Sequence, residues 1–481
     1  MNNTAKEKIK SIVGVKNFTD LEEDKLSYSY DATALYHHLP EAIVFPENET
    51  QISRILILAN EEHFNIVPRG AGTGLSGGSI PVENCLVMVM TKWNKILEID
   101  TKNLTATVQP GVVTAQLQKE VEKIGLFYPP DPGSMNVCTL GGNVANNSGG
   151  LRGLKYGVTK NYVLGTEMFL PNGDLLKTGG KNVKDVAGYN LRDFIVGSEG
   201  TLGIITKILL KLIPKPVNSI TMLAYFDKLS NSAKSVADIV AAHIIPSMME
   251  FLDNTTINCV EDYAKIGLTR NSEAILLIEV DGRGSIVEED SETIMNILKM
   301  NNASFIRKAA NESESLLLKS ARRSAFSALA RVRPTTILED ATVPRSELPI
   351  MIEKVTEAAK KFNVTIGNFG HAGDGNLHPT CLTDERDNNE IQRAHKTFDF
   401  IFNEAIKLGG TITGEHGTGL AKKQFLEQVA GIPALDMMKK IKSVIDENNI
   451  LNPGKIFSIS PKCEGPLPKN REQITGFKNV Q

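Results

Sequence analysis

Apolar residues recur at helical spacing over 48–61, where Ile52, Ile55, Leu56 and Ala59 fall on one face. The spacing predicts a helix, and the run Ile66-Val67-Pro68 predicts a strand after it. A glycine-dense segment, GAGTGLSGG at 70–78, precedes a second strand-length apolar run at 86–90. Further on lie a second glycine-rich region, 131–157, and short strand-like runs at Phe194-Ile195-Val196 and Gly203-Ile204-Ile205. The chain up to Pro214-Lys215-Pro216 therefore reads as α+β with glycine loops, and that proline pair marks a boundary. Regular alternation follows. Strands are predicted at 220–226, 247–252, 274–280 and 304–309, with helices at 230–242, before Gly267, and at 285–300. Four strands with interleaved helices imply a compact sheet with helices on one face. After Asn452-Pro453-Gly454 the tail is polar and rich in proline and lysine, a surface segment expected to be disordered or to serve in docking. The domains expected are 1–216, 217–430, a helical return segment at 431–457, and the tail at 458–481.

Residues 72–77, GTGLSG, match the dinucleotide fingerprint G-x-G-x-x-G. A Rossmann unit needs its third glycine to open a helix, whereas Ser79-Ile80-Pro81 leads into a strand-like run, so that reading fails on context. The physical use of the loop survives: without Cβ atoms, successive backbone N–H groups can approach a pyrophosphate. Two further segments strengthen this, PPDPGSMNVCTLGGNVANNSGG at 129–150 and GSEGTLGIIT at 197–206. In order, PRGAGTGLSGG, DPGS, GGNVANNSGG, the Tyr156-Gly157 pair and SEGTLGIIT resemble the FAD-binding domain of the vanillyl-alcohol oxidase and p-cresol methylhydroxylase (PCMH) superfamily.

The resemblance implies an α+β fold: a PCMH-type FAD-binding domain of two subdomains, plus a cap domain with a ferredoxin-like antiparallel sheet. FAD would lie between the two subdomains. Around its pyrophosphate the resemblance sets Pro68, Arg69, Gly70, Ala71, Gly72, Thr73, Gly74, Ser76, Gly77 and Gly78 from the first loop. From the second region it sets Pro132, Gly133, Ser134, Gly141, Gly142, Asn146, Ser148 and Gly149, followed by Tyr156 and Gly157. Glu199, Gly200, Gly203, Ile204 and Ile205 would face the adenine and ribose, and Asn452 would complete the site. Some members tether the flavin through a histidine in the first loop; this loop has Thr73 near that place, so non-covalent FAD is expected. Cys138 reads as a core or loop cysteine.

Bulk properties narrow the partners. At 481 residues the chain needs two or three domains, and 41% hydrophobic with 23% charged residues is ordinary for globular proteins. A formal net charge of −3 offers no basic excess for nucleic acid, and a small ligand fits better. The five cysteines, Cys85, Cys138, Cys259, Cys381 and Cys463, contain no C-x-x-C pair for an iron-sulfur cluster or a structural zinc. The start MNNTAKEKIK has no apolar signal region, and no run approaches a membrane span. The expected location is the cytoplasm, with a peripheral membrane position left open.

The second half contains GHAGDGNLHP at 370–379 and GEHGTG at 414–419. Histidines with a carboxylate suit zinc, manganese or iron. His371 and His378 are seven apart, an odd spacing that would send them to opposite faces of one straight strand. Gly373, Asp374, Gly375 and Asn376 argue against a helix, so the segment is expected to turn at the glycines and return both imidazoles to one site. The pattern H-x-G-D-G-N-x-H followed by G-E-H-G resembles the FAD-linked D-2-hydroxyacid dehydrogenases, among them D-lactate dehydrogenase, D-2-hydroxyglutarate dehydrogenase and the D subunit of glycolate oxidase. That resemblance implies that His371, His378 and Glu415 hold a divalent metal and that His416 is the catalytic base. In LLLKSARRSAFSALAR, 316–331, Arg322 matches the family's substrate-carboxylate arginine, with Arg323 as competitor and Lys319 standing where the family carries tryptophan. With no basic residue in Ile337-Leu338-Glu339-Asp340 to meet a second carboxylate, a monocarboxylic 2-hydroxy acid is favoured, D-lactate first and glycolate as alternative. By the same resemblance, electrons would pass to an electron-transfer flavoprotein or, alternatively, to an iron-sulfur subunit or quinone, in a homodimer or hetero-oligomer. Some relatives of this type work in electron-bifurcating complexes.

Overall fold

The computed structural model describes residues 1–458; all of the tail but Ser458 lies outside the described residues. The described residues divide into two compact units: Met1–Ser148, Val158–Lys215 and the residues from Glu415 onward form the first, Gly149–Gly157 and Pro216–Gly414 the second. The crossing at Lys215/Pro216 coincides with the proline pair. The return falls at Glu415, and the short stretch 149–157 belongs to the second unit, which no compositional shift marks.

The first unit contains two larger sheets. In one, β1 (Phe18–Thr19), β2 (Ala42–Val44), β3 (Asn65–Arg69) and β4 (Cys85–Val89) are ordered β1-β2-β4-β3. Strands β2 and β3 run parallel to β4 on its two edges, and all five β4 residues are buried, alternating between two apolar clusters, so both of its faces are covered. The connection from β3 to β4 contains no helix, so the Rossmann arrangement is absent. The helix Glu49–Glu62 is capped by Asn48, whose side chain accepts the Gln51 N–H. Its Ile52, Ile55, Leu56 and Ala59 pack with Ala42, Val44, Ile66 and Leu86, the face that periodicity predicts.

The other sheet is antiparallel: β5 (Ile96–Asp100), β6 (Thr105–Val108), β8 (Val163–Phe169), β9 (Leu175–Gly179) and β10 (Ile204–Lys211), in the order β5-β6-β10-β8-β9. Apart from these, β7 (Leu126–Phe127) pairs with β11 (Ile213–Pro214). Along β10, Ile204, Thr206, Ile208 and Leu210 are buried in alternation, as expected of a strand with one covered face. The strand expected at 194–196 is instead the end of a helix, Leu191–Ile195. Three apolar residues are too few to separate the two periods, and Ile195 is buried against Met168 and Leu202.

The second unit is built on one antiparallel sheet. Its strands are β12 (Asn218–Phe226), β13 (Met248–Asp253), β14 (Ala274–Gly282), β15 (Ala303–Lys308), β16 (Thr335–Leu338), β17 (Ala341–Thr342), β18 (Thr365–His371) and β19 (Asn376–Thr383). The order is β15-β12-β14-β13-β18-β19-β16, with β17 also on β19. The first four strands are those expected from periodicity, and their order is ferredoxin-like. The sheet then continues, because the free edge of β13 pairs with β18. Helices cover both faces, where one was expected. On one face Gly282 stands against Val287 of the helix Ile286–Met300. On the other, Gly367 leaves room only for Leu329 and Thr256, from the helices Ala325–Leu329 and Asn254–Ala264. No helix among the described residues is long and apolar enough to cross a membrane.

Candidate active site

In the second unit, β18 and β19 form a hairpin that turns at Ala372–Gly375, where Gly375 adopts φ 74°. The register sets Phe369 opposite His378 and His371 opposite Asn376. Directly opposed residues share a face, as do residues two apart on one strand, so the turn brings His371 and His378 to the same face despite their odd spacing. Their ring centroids are 5.0 Å apart with planes at 87°, and a nitrogen of each lies within 4.8 Å of one in the other. Both are buried.

The neighbouring strand supplies a residue that motif reading missed. Glu250 of β13 pairs in register with His371 and is 0% exposed. Its Oε1 lies 2.8 Å from His371 Nδ1, and its Oε2 lies 2.5 Å from Arg322 Nη2. Burial pushes the Glu250 carboxyl up, but the Arg322 guanidinium and His371 outweigh that and hold it below the ordinary carboxylate range. A carboxylate at Nδ1 makes that nitrogen the proton carrier and turns Nε2 into a lone-pair donor, the arrangement that prepares a histidine to bind a metal. The signal was present: Glu250 is the one charge in Ser247-Met248-Met249-Glu250-Phe251-Leu252.

Arg322, near the end of the helix Glu312–Arg323, is itself buried and stacks 4.8 Å over Phe369. It is thus Arg322 that joins the histidine face through Glu250. Lys319, one turn earlier, bonds to Glu279 at 2.5 Å, and Glu279 also accepts from the Thr221 hydroxyl. Asp340, between β16 and β17, is fully buried; its Oδ1 stands 3.9 Å from His378 Nδ1. Its Oδ2 accepts the Thr413 hydroxyl at 2.7 Å and the Gly414 N–H at 2.8 Å. Two imidazoles on one face, one of them oriented by a carboxylate, make a donor set that fits zinc, manganese or iron. Glu415 and His416 are the next residues along the chain after Gly414 and belong to the first unit.

The segment 149–157 also sits in the second unit. Tyr156 donates its hydroxyl to Asp281 at 2.8 Å, and Lys155 lies 2.5 Å from the same carboxylate. Gly153 and Gly373 leave space for Asp374 and Leu154 respectively, so this segment packs on the turn between β18 and β19.

In the first unit the glycine loop leaves β3 at Arg69. Gly72 has φ 72° and folds over the Arg69 guanidinium, which a Cβ there would meet at 2.1 Å. Arg69 is 7% exposed, and its Nη1 has no hydrogen-bond partner among the described residues. A buried cation under a loop of glycine amides fits an anionic pyrophosphate. Gly133 has no atom within 4 Å of a Cβ position, leaving its backbone open to approach. Gly200 and Gly203 have another reason to be glycine: a Cβ would strike Pro68 at 2.5 Å and Met168 at 2.0 Å. Ile204 and Ile205 open β10, and Cys138 is buried with its sulfur 3.4 Å from the Thr114 hydroxyl.

The loop after Glu415 is fastened within this unit. Ser76 donates its hydroxyl to the His416 carbonyl at 2.9 Å. Glu199 accepts the Thr418 N–H at 2.7 Å on Oε1 and the Gly419 N–H at 2.8 Å on Oε2. Burial pushes its carboxyl up to about 7, against the lowering effect of those two bonds. Asn452 donates to the carbonyls of both Gly78 and Glu199.

Residues 40–179 match the family model described as FAD binding domain, and residues 215–456 match that of FAD linked oxidases, C-terminal domain. The glycolate oxidase subunit GlcD of Bacillus subtilis is 53% identical over 94% of this chain and 96% of that protein. The D-lactate dehydrogenase of Anaerostipes hadrus is 33% identical over 91% of this chain and 93% of its own length. Among solved structures, p-cresol methylhydroxylase superposes with a TM-score of 0.78 at 18% identity, covering 95% of this chain and 97% of that one, a likeness of fold. A helix-free glycine loop over a buried arginine and a histidine hairpin braced by Glu250 thus belong to a flavin-dependent oxidoreductase, and the chain is a member of the FAD-linked oxidase family.

Proposed function

We propose that the chain oxidises a small 2-hydroxy monocarboxylate to the 2-oxo acid, with glycolate as the first candidate. The observation that carries this is the single face shared by His371, His378, Glu250 and Arg322: imidazoles suited to a metal beside one arginine. The 53% identical relative named glycolate oxidase subunit favours glycolate over D-lactate, reversing the preference drawn from the sequence; the 33% identical D-lactate dehydrogenase keeps D-lactate as the second reading.

In this reading His371, His378 and Glu415 hold a divalent metal, which when bound would supply a Lewis acid for the substrate hydroxyl and carboxylate. FAD, held without a covalent bond by the glycine loops, supplies the hydride acceptor. Arg322 provides the positive charge that orients the substrate carboxylate, shared with Glu250. His416 takes the hydroxyl proton on an imidazole nitrogen as the carbon loses hydride, the part of a general base. A separate subunit or electron-transfer protein then receives the two electrons, since the cysteine spacing provides no relay. Mixing the purified flavoprotein anaerobically with glycolate, D-lactate or D-2-hydroxyglutarate tests this. Bleaching of the flavin band should be fast with the first two and slow with the third, whose second carboxylate lacks a partner. No bleaching with any 2-hydroxy acid would overturn the reading.

A further inference from the structure

Glu199 lies in a motif whose family resemblance points to the adenine and ribose of FAD, yet its carboxylate faces elsewhere. Both oxygens are occupied, Oε1 by the Thr418 N–H and Oε2 by the Gly419 N–H, and the residue is 6% exposed. The fit is close: a Cβ at Gly417 would stand 3.0 Å from Oε1, and Gly417 holds φ 86°. From the other side, Ser76 donates its hydroxyl to the His416 carbonyl, while its own carbonyl accepts the N–H groups of Leu420 and Ala421. A Cβ at Gly419 would meet that carbonyl at 2.0 Å. Leu420 anchors the end of the loop in an apolar cluster with Tyr36 and Ile80. Residues 416–421 are therefore gripped on two sides by residues of the cofactor loops.

We infer that Glu199 is a positioning residue for His416, fixing the loop that carries it through two backbone hydrogen bonds, and is not a ligand of the cofactor's adenine or ribose. The inference rests on the proposed function, in which His416 is the base. Two parallel bonds from a carboxylate to successive N–H groups fix the direction of the peptide planes as well as their distance. Glutamine cannot reproduce this, because its amide nitrogen would face one of the two N–H donors.

The test uses the full-length flavoprotein carrying Glu199→Gln, with three readouts: FAD dissociation constant, flavin reduction by glycolate in stopped flow, and amide hydrogen exchange of the peptide spanning 415–421. Expected is faster exchange in that peptide and a roughly 10- to 100-fold slower reduction at saturating substrate, the scale for a displaced catalytic group. The dissociation constant of FAD and the KM for substrate should stay within about threefold, because neither cofactor nor substrate carboxylate is touched. A merely structural residue would move all of these together. A weaker FAD affinity with unchanged exchange at 415–421 would overturn the inference, as would unchanged exchange and rate. If Glu199→Gln does not fold, Glu199→Asp, which keeps the charge but withdraws it by one methylene, carries the same readouts. Should the unsubstituted protein fail to react with any 2-hydroxy acid, the proposed function falls, while the exchange comparison still decides whether Glu199 holds the loop.

Discussion

Replacing Glu250 with glutamine should change stability and metal binding together, because one carboxylate serves both. It is 0% exposed and touches Arg322 Nη2 at 2.5 Å and His371 Nδ1 at 2.8 Å. Removing one partner of a buried ion pair costs about 3–5 kcal/mol, and that is the loss expected here. The amide has one oxygen for two donors. If the oxygen serves Arg322, the amide N–H₂ faces His371 and forces Nδ1 to accept, which moves the ring proton to Nε2 and removes the metal-donating lone pair. Loss of such an orienting partner lowers metal affinity by roughly 10- to 100-fold. Urea unfolding and competition with a chromogenic chelator for zinc or manganese would measure the two effects. Glu279→Gln is the control: it breaks another buried pair, with Lys319 at 2.5 Å, and should cost stability without changing metal affinity. Equal metal affinity in Glu250→Gln and the unsubstituted protein, or a stability within about 1 kcal/mol of it, would refute the reasoning.

Three other outcomes are expected. Glu415→Gln should deplete bound metal, with partial recovery of activity on adding divalent ion, whereas His416→Ala should keep metal and FAD while slowing flavin reduction by about 10²-fold or more; loss of metal in His416→Ala would reassign the base. Acid or heat denaturation should release the flavin into the supernatant, and yellow colour retained in the precipitate would show a covalent bond instead. Burial pushes the Asp253 carboxyl up to about 6 although it accepts the N–H groups of Thr256 and Asn368. A raised folded pKa favours the protonated form in the fold, so this group's contribution is full below the unfolded value and is lost as pH rises through about 6. The unfolding free energy of the unsubstituted protein relative to Asp253→Asn should therefore fall between pH 4.5 and 7.5, and a gap independent of pH would contradict it.

The features legible in the chain alone are those whose physics is local. A glycine loop after an apolar run, two histidines around Gly-Asp-Gly-Asn and an amphipathic helix at 49–62 are set by backbone freedom and side-chain period, which neighbours in sequence express. The turn at Ala372–Gly375 was implied by the same logic, since only a reversal could join His371 and His378. Strand pairing decided the rest. Glu250 is 121 residues from His371, and only the register of β13 on β18 sets them together. Pairing across that edge also doubled the expected four-stranded sheet. The role of Glu199 shows the same division: its motif announces a tight turn, but which N–H groups its carboxylate receives depends on a loop 219 residues later. Local sequence limits the conformations a segment can adopt, whereas partners for buried charge are chosen by contacts between distant segments, where an unpaired carboxylate would cost the fold several kcal/mol.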